Sequence, residues 1–166
     1  MAKAAKGFSG LRIFKVDQND SAGYRVGPKI TITGAQSFTR SPETSEWTIM
    51  ADDGVYDSGS DWQGEKFTLN LAECPLELKK YFEGGEYNNG TYKYYSHSQA
   101  PELAFAFKVL QSDKTWLMVK LFSVKCYSLR TDYQTKGESS DISPAIIEGI
   151  IKNRVIDNQV REEKEA

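Results

Sequence analysis

The sequence has one histidine, two cysteines and no long apolar run, and each scarcity narrows what the chain can be. His97 has no second ligand at metal-site spacing, so no zinc centre is expected. Cys74 and Cys126 are expected to stay reduced, as in most intracellular chains with an adequate core. No window approaches the roughly 18 apolar residues of a membrane span, and residues 1–10 lack the apolar segment of a signal peptide. We therefore expect neither membrane insertion nor signal-peptide secretion.

Motifs that carry chemistry are also missing from the sequence. It contains no nucleophile elbow, phosphate-binding loop or dinucleotide fingerprint. Asp52-Asp53, Asp57 and Asp61 lack the spacing and the closing glutamate of a calcium-binding EF-hand, and the Asp-Gly pair at 53–54 favours a solvated turn. We expect a protein that is not an enzyme and that carries no cofactor.

The net charge of the chain is small, but its charged residues are unevenly distributed. The formal net charge is −2 and the pI is about 5.5, which argues against a surface built to grip nucleic acid. Residues 41–73 hold eight acidic side chains and a single base, Lys66, whereas the first fifteen residues hold four bases and no acid. This polarity is typical either of head-to-tail association between identical copies or of an ordinary solvated surface.

The stretch from Pro101 to Thr131 is the longest hairpin signal in the chain. Two alternating apolar runs are separated by the four polar residues 111–114, which predicts two antiparallel strands. The apolar phase slips by one at Leu121-Phe122, where a β-bulge would insert an extra residue.

Shorter signals surround this hairpin. Residues 75–83 predict the only helix, which begins at Pro75 and is stopped by Gly84-Gly85. Asn89-Gly90 predicts a type I′ turn, and residues 142–156 favour a strand over a helix because of their β-branched content. The segment Gly34–Glu46 has little apolar content and is predicted to be a long connection of the functional or partner-bound kind.

Seven to nine short strands and one helix predict a mainly β fold, an antiparallel β-sandwich or barrel with one short flanking α-helix. Residues 11–154 are expected to form a single domain, with a flexible N-terminal arm at 1–10 and a charged C-terminal tail at 155–166. The alternating and helical apolar positions predict a core made of Trp47, Ile49, Phe67, Leu69, Leu71, Leu78, Phe82, Phe105, Phe107, Leu117, Val119 and Leu121.

Four tyrosines, Tyr87, Tyr92, Tyr94 and Tyr95, lie close together with Lys93. They could stack sugars or bases, which would make the chain a carbohydrate- or nucleic-acid-binding β-domain. Few basic residues lie nearby, which favours ordinary strand and interface tyrosines.

Three stretches occur in a recognisable order along the chain. They are ADDGVYDSG at 51–59, the strand and helix at 65–85, and the large hairpin with Tyr-Gln-Thr-Lys and a proline-containing closing strand at 100–149. This order resembles the major tail protein, or tail tube protein, of long, non-contractile-tailed bacteriophages (siphophages), especially those of Gram-positive hosts. The resemblance covers roughly Leu11 to Arg154 through many weak matches.

The resemblance implies a virion structural protein that self-assembles into hexameric rings, stacked head to tail as a tube that conducts DNA into the host. It implies a place in the virion tail after assembly in the host cytoplasm, with DNA passing through without specific binding. Besides further copies of itself, the implied partners are the tape-measure protein, the tail terminator and the baseplate or distal tail proteins.

The resemblance also implies roles for particular residues. A long loop between early strands would contact neighbouring subunits or rings, and the residues that fit it are Gly34, Gln36, Phe38, Arg40, Pro42, Glu43 and Glu46. The channel wall should be polar and neutral or acidic. The candidate wall residues are Thr31, Thr33, Glu46, Thr48, Thr68 and Asn70, with Lys66 as an exception beside them.

Overall fold

The computed structural model describes residues 5–131 and 144–165. Its elements in chain order are β1 (Ala5–Asp20), β2 (Gly23–Thr31), β3 (Ala35–Ala51), β4 (Gly54–Leu71), α1 (Leu76–Glu83), β5 (Glu86–Asn88), β6 (Thr91–Lys93), β7 (Glu102–Gln111), β8 (Trp116–Arg130), β9 (Ala145–Lys152) and β10 (Arg161–Glu165). The Tyr-Gln-Thr-Lys stretch, residues 1–4 of the predicted arm and the start of the closing strand at 142–143 lie outside the described residues.

Eight strands form one antiparallel sheet in the order β2-β1-β7-β8-β9-β4-β3, and β10 pairs with β8. The small β5–β6 hairpin stands apart, and α1 packs on β8. The sheet curls over a single core, so the predicted fold class, a mainly antiparallel β-sandwich with one short helix, is confirmed.

An aromatic cluster joins the two halves of the curled sheet. The Phe38 ring on β3 lies 5.5 Å from Phe67 on β4 and 5.2 Å from Phe107 on β7, centroid to centroid. Phe8 on β1 lies 6.3 Å from Phe38 and 5.0 Å from Phe107. Phe67 and Phe105 pack edge to face at 5.6 Å, a favoured aromatic geometry. These contacts bring β3, at one end of the strand order, against β1 near the other end.

The central hairpin and its bulge are confirmed. Leu103 pairs with Val124 and Phe105 with Leu121, so two residues of β8 oppose the single residue Ala104 of β7. The extra residue shifts the apolar phase of β8, as the sequence predicted. One edge of β8 can then serve two strands in succession, β10 along residues 117–121 and β9 along residues 123–130.

The helix stop and the short turns also follow the sequence. Gly84 takes a left-handed conformation at φ 83°, and its N–H donates to the Lys80 carbonyl at 3.0 Å. Asn89 and Gly90 both have positive φ, at 49° and 78°, as a type I′ turn requires.

Both predicted terminal segments contain strand. Residues 5–10 belong to β1 and pair with β7, and residues 161–165 form β10 on β8. Both stretches consist mainly of small and charged residues, so apolar alternation did not predict them. Their pairing uses backbone groups, and most of the β10 side chains face water.

The predicted long connection at Gly34–Glu46 is wrong, because residues 35–46 form the first part of β3. Residues 57–64 are rich in Ser, Gly and Asp and nevertheless belong to β4. The Ser, Thr and Asp side chains in these two stretches are largely exposed, so residues 35–46 and 57–64 show no alternation of apolar and polar residues that would mark a strand.

Eight of the twelve predicted core residues are buried, two are partly buried and two are exposed. Leu78 and Leu117 are partly buried against the core, whereas Trp47 and Ile49 are 40% and 50% exposed, so their assignment to the core is wrong. The buried members are Phe67, Leu69, Leu71, Phe82, Phe105, Phe107, Val119 and Leu121.

Gly149 provides a test of the packing between β8, β9 and β4. A Cβ at this position would lie 2.4 Å from the Lys125 carbonyl oxygen and 2.8 Å from the Cys126 Cα. Gly149→Ala should therefore lower the free energy of unfolding by about 1–3 kcal/mol, measured by denaturant unfolding. Gly54→Ala is the matched control, because its Cβ would meet no heavy atom within 4 Å. Equal stability of the two variants would contradict the described register.

Candidate functional site

The far half of the β3–β4 hairpin extends beyond the sheet, and we call residues 44–63 the ribbon. β4 pairs with β9 only from Glu65 to Leu71, whereas the strand pairing described for residues 44–63 is entirely within the ribbon. At about 3.3 Å per residue, each ribbon strand reaches roughly 25 Å past the sheet. Asp52 and Asp53 close its tip with positive φ values of 50° and 62°.

A backbone irregularity marks the base of the ribbon. Glu43 pairs with Gly64 and Thr44 with Trp62, which leaves Gln63 as an extra residue on β4. Gly64 has φ 118°, in a region that favours glycine. A bulge of this kind bends a strand, and here it lies where β4 leaves the sheet.

An ion-pair cluster around one buried carboxylate lies next to that bulge. Glu65 is 5% exposed, and its Oε1 atom lies 2.8 Å from Arg40 Nη1 and 3.2 Å from Arg161 Nη1. Its Oε2 atom has no hydrogen-bond partner within residues 5–131 and 144–165. The cluster links β3, β4 and β10, and it holds the base of the ribbon in the folded body.

The ribbon has two chemically different faces. Paired residues of an antiparallel ribbon point to the same side, and the pairs Trp47 with Gly59 and Ile49 with Asp57 define the first face. A Cβ on Gly59 would lie 2.6 Å from Trp47 Cζ2, so the indole ring lies against this glycine. The second face carries the pairs Glu46 with Ser60, Thr48 with Ser58, Thr44 with Trp62 and Met50 with Val55.

Large apolar side chains of the ribbon are open to solvent. None of its described side chains is buried, and the exposed fractions are 40% for Trp47, 50% for Ile49, 65% for Met50, 64% for Val55 and 41% for Trp62. A two-stranded hairpin without a core is at best marginally stable in water. Exposed apolar groups concentrated on such an element are typical of a surface that another molecule covers.

The ribbon is also strongly acidic. It carries Glu46, Asp52, Asp53, Asp57 and Asp61 and no lysine, arginine or histidine. Asp57 and Asp61 share the face of Trp47, because Asp57 pairs with Ile49 and Asp61 with Ser45. A partner for this face must therefore offer both apolar surface and positive charge.

The residues predicted to contact neighbouring subunits divide into two groups. Phe38 belongs to the aromatic cluster and Arg40 binds Glu65, so both serve the fold of this chain. Glu43 forms an exposed ion pair with Lys66 at 2.9 Å. The others are exposed, and their contact role stays a prediction: Gly34, Gln36, Pro42 and Glu46.

The six predicted wall residues do not share one face. β3 alternates without interruption from Ser37 to Ala51, so Thr39, paired with Thr68, lies on the side of Trp47 and not of Glu46 and Thr48. Asn70 lies with Thr68 on β4 and donates to Ser37 Oγ at 2.9 Å, while Thr31 and Thr33 are exposed near the end of β2. The sequence reading failed because it assumed that Trp47 and Ile49 point into a core.

The tyrosine patch is smaller than the sequence suggests. Tyr92 is half-buried, and its hydroxyl donates to the Lys79 carbonyl of α1 at 3.4 Å. Tyr94 and Tyr95 are exposed, and the Tyr95 ring stacks on His97 at 5.5 Å. Two exposed tyrosines remain as a possible stacking surface.

Neither cysteine is a ready nucleophile. Burial raises the pKa of the Cys126 thiol to about 12 and that of the Cys74 thiol to about 11, and both cysteines are free. The described ranges contain no group of three His, Cys, Asp or Glu side chains that could hold a metal ion. No helix within them is long and apolar enough to cross a membrane.

Comparison with known proteins finds likeness only among solved structures. No protein-family model matches the chain, and no curated protein matches it. Among solved structures, a chain of the anti-feeding prophage baseplate, determined by six-fold symmetrised electron cryomicroscopy, aligns with a TM-score of 0.48 and 9% identity. The alignment covers 100% of this chain and 97% of the baseplate chain.

Shortening the ribbon should leave the fold intact. Ser45 and Asp61 are paired, so residues 46–60 can be replaced by an Asn-Gly turn. Because the ribbon buries no core side chain, the free energy of unfolding should change by about 1 kcal/mol or less in chemical denaturation. Deletion of residues 34–46 should instead abolish folding, because it removes Phe38 and Arg40. A shortened variant that fails to fold would show that the ribbon belongs to the core domain.

Proposed function

We propose that the chain is a structural protein of a bacteriophage tail, whose copies join in hexameric rings that stack head to tail as the tail tube. The observation that carries this proposal is the ribbon, an acidic two-stranded extension with exposed apolar groups and no core beneath it. In the assembly a neighbouring copy covers the first face of the ribbon, which gives the exposed Trp47 and Ile49 a partner.

The ends of the sheet support head-to-tail association. β2 is the strand at one end of the order and β3 is at the other. β2 carries Arg25 and Lys29, with no acid between residues 21 and 42, while the ribbon, which extends β3 and its neighbour β4, carries five acids. Edges of opposite charge favour heterologous contacts between identical copies over a two-fold pairing of like edges.

The second face of the ribbon suits a conduit for DNA. Between Trp62 at its base and the exposed Met50 and Val55 near its tip, the middle of this face is polar and carries no base: Glu46, Thr48, Ser58 and Ser60. A channel wall of this kind repels phosphate and leaves DNA mobile, since affinity for DNA comes mainly from lysine and arginine. In this proposal the second face lines the channel, and DNA passes through without specific binding.

The remaining parts of the proposal come from the sequence resemblance. They are a siphophage tail, a Gram-positive host, a non-catalytic role, and contacts with tape-measure, terminator and distal tail proteins. The protein would be assembled in the host cytoplasm and located in the virion. The competing function is glycan or oligonucleotide binding at Tyr94 and Tyr95, which requires no assembly.

Assembly is tested by negative-stain electron microscopy and sedimentation of the purified protein over a concentration series. The intact chain should form rings or hollow fibres, and the ribbon-shortened variant should stay monomeric while folded, because it lacks the contact element. If the protein stays monomeric at every concentration and binds a glycan or an oligonucleotide, the proposal is wrong and the competing function takes its place. If the shortened variant still forms tubes, the ribbon is not the element that joins neighbouring copies.

The channel wall is tested by Glu46→Lys. Every ring would gain one lysine per subunit on the second face, so the tubes should capture a short DNA duplex that wild-type tubes leave in solution. Co-sedimentation at two salt concentrations measures this, and the capture should fall as salt rises. Glu86→Lys on the exposed β5 hairpin is the matched control. Equal capture by the two variants would show that Glu46 does not line the channel.

A further inference from the structure

The outer face of the sheet, the side turned away from the core, is basic across β2, β1, β7, β8 and β10. Strand register places the residues of this face in three rows. Together the three rows hold five cationic side chains and one acidic side chain, Glu162. In the next row, Glu102 pairs with Lys125. The rows are Lys29, Phe14 and Ala104, then Arg12, Ala106, Lys120 and Glu162, then Ser9, Lys108, Met118 and Lys164.

An apolar hollow lies in the middle of this basic face. Its volume is about 240 Å³, and Lys120 stands at its edge. An apolar cavity of about 150 Å³ can hold benzene, so the hollow has room for a larger aromatic side chain. Its lining comes from Phe14, Tyr24, Val26, Ala104, Ala106 and Phe122.

The hollow is held in shape before anything binds. The Tyr24 hydroxyl donates to the Phe122 carbonyl at 2.5 Å, and the two rings meet at 90° with centroids 5.8 Å apart. The Arg154 guanidinium lies 4.2 Å from the Phe122 ring centroid and is fixed by Asp157 at 2.8 Å. A pre-formed hollow loses little conformational entropy on binding.

The first face of the ribbon is complementary to this surface. It presents Trp47 and Ile49 beside Asp57 and Asp61, which matches an apolar hollow edged by cations. We infer that the ribbon of one copy docks on the outer face of the next copy, with Trp47 in the hollow and Asp57 and Asp61 against Arg12 and Lys120. This inference rests on the proposed assembly and adds its receiving surface.

A second copy is the occupant that the charges and the topology favour. The ribbon extends β3 at one end of the strand order, and the hollow lies beside β2 at the other end, as head-to-tail contact requires. Asp57 and Asp61 of the first face meet Arg12 and Lys120, and Lys29, Lys108 and Lys164 add positive charge to the receiving face. Docking also neutralises a basic surface that would otherwise bind the DNA passing through a tube.

Charge exchange between the two surfaces tests the inference in the full-length chain. The face variant is Arg12→Glu with Lys120→Glu, and the ribbon variant is Asp57→Lys with Asp61→Lys. Each variant alone should raise the protein concentration needed for assembly by roughly tenfold or more, because like charges then meet. A one-to-one mixture should assemble near the wild-type concentration, because the two copies can alternate with opposite charges at every contact. Sedimentation velocity gives the assembled fraction, and circular dichroism checks that each variant is folded.

Two controls separate docking from general charge effects. Lys93→Glu with Lys114→Glu makes the same charge change at exposed positions away from the face and should leave assembly unchanged. Trp47→Ala should weaken assembly more than Trp62→Ala, because Trp62 lies on the other face of the ribbon.

The outcomes distinguish this inference from the proposed function. Suppose that the wild-type protein assembles. The docking surface is then wrong, and the tube proposal stands, if the face variant assembles normally, if the mixture shows no rescue, or if Trp62→Ala weakens assembly more than Trp47→Ala. A wild-type protein that stays monomeric at every concentration would overturn both.

Discussion

A two-stranded ribbon cannot bury its own side chains, and that constraint governs the rest of this molecule. Backbone hydrogen bonds hold residues 44–63 together, but no second layer covers Trp47, Ile49 or Met50. The energy that stabilises an extended ribbon must then come largely from contact with another molecule. The body of the chain does the opposite, since the curled sheet closes a complete aromatic and aliphatic core around Phe38, Phe67 and Phe105.

The junction between these parts has a definite construction. The bulge at Gln63 and Gly64 turns the ribbon away from the sheet, and buried Glu65 holds Arg40 and Arg161 immediately below it. A buried carboxylate with two guanidinium partners is costly to break, because loss of one partner leaves charge without compensation. The body therefore fixes the direction of the ribbon, and none of the ribbon's described side chains is buried.

Sequence patterns identified the parts of the fold that have a core beneath them. The β7–β8 hairpin, its bulge, α1 and the Asn89-Gly90 turn all follow from apolar period or turn chemistry, which act locally. β10 was missed because its pairing depends on backbone groups of the distant strand β8, and the first part of β3 was missed because its mostly polar side chains show no apolar alternation. Trp47 and Ile49 were assigned to the core because they alternate with polar residues, and alternation alone cannot tell a face that packs in the core from an apolar face that stays exposed. The acidic segment was visible in the sequence, but the basic face was not, since β1, β2, β7, β8 and β10 bring its residues together only on folding.

Hydrogen–deuterium exchange of the ribbon amides, read by mass spectrometry, tests the central claim most directly. At protein concentrations below assembly, amides in residues 44–63 should exchange much faster than those of β7 and β8, because opening the ribbon exposes no core. At concentrations that give assembly, the same amides should become protected while the core strands change little. Equal exchange of the ribbon in the two states, with assembly verified in the same sample, would contradict the account.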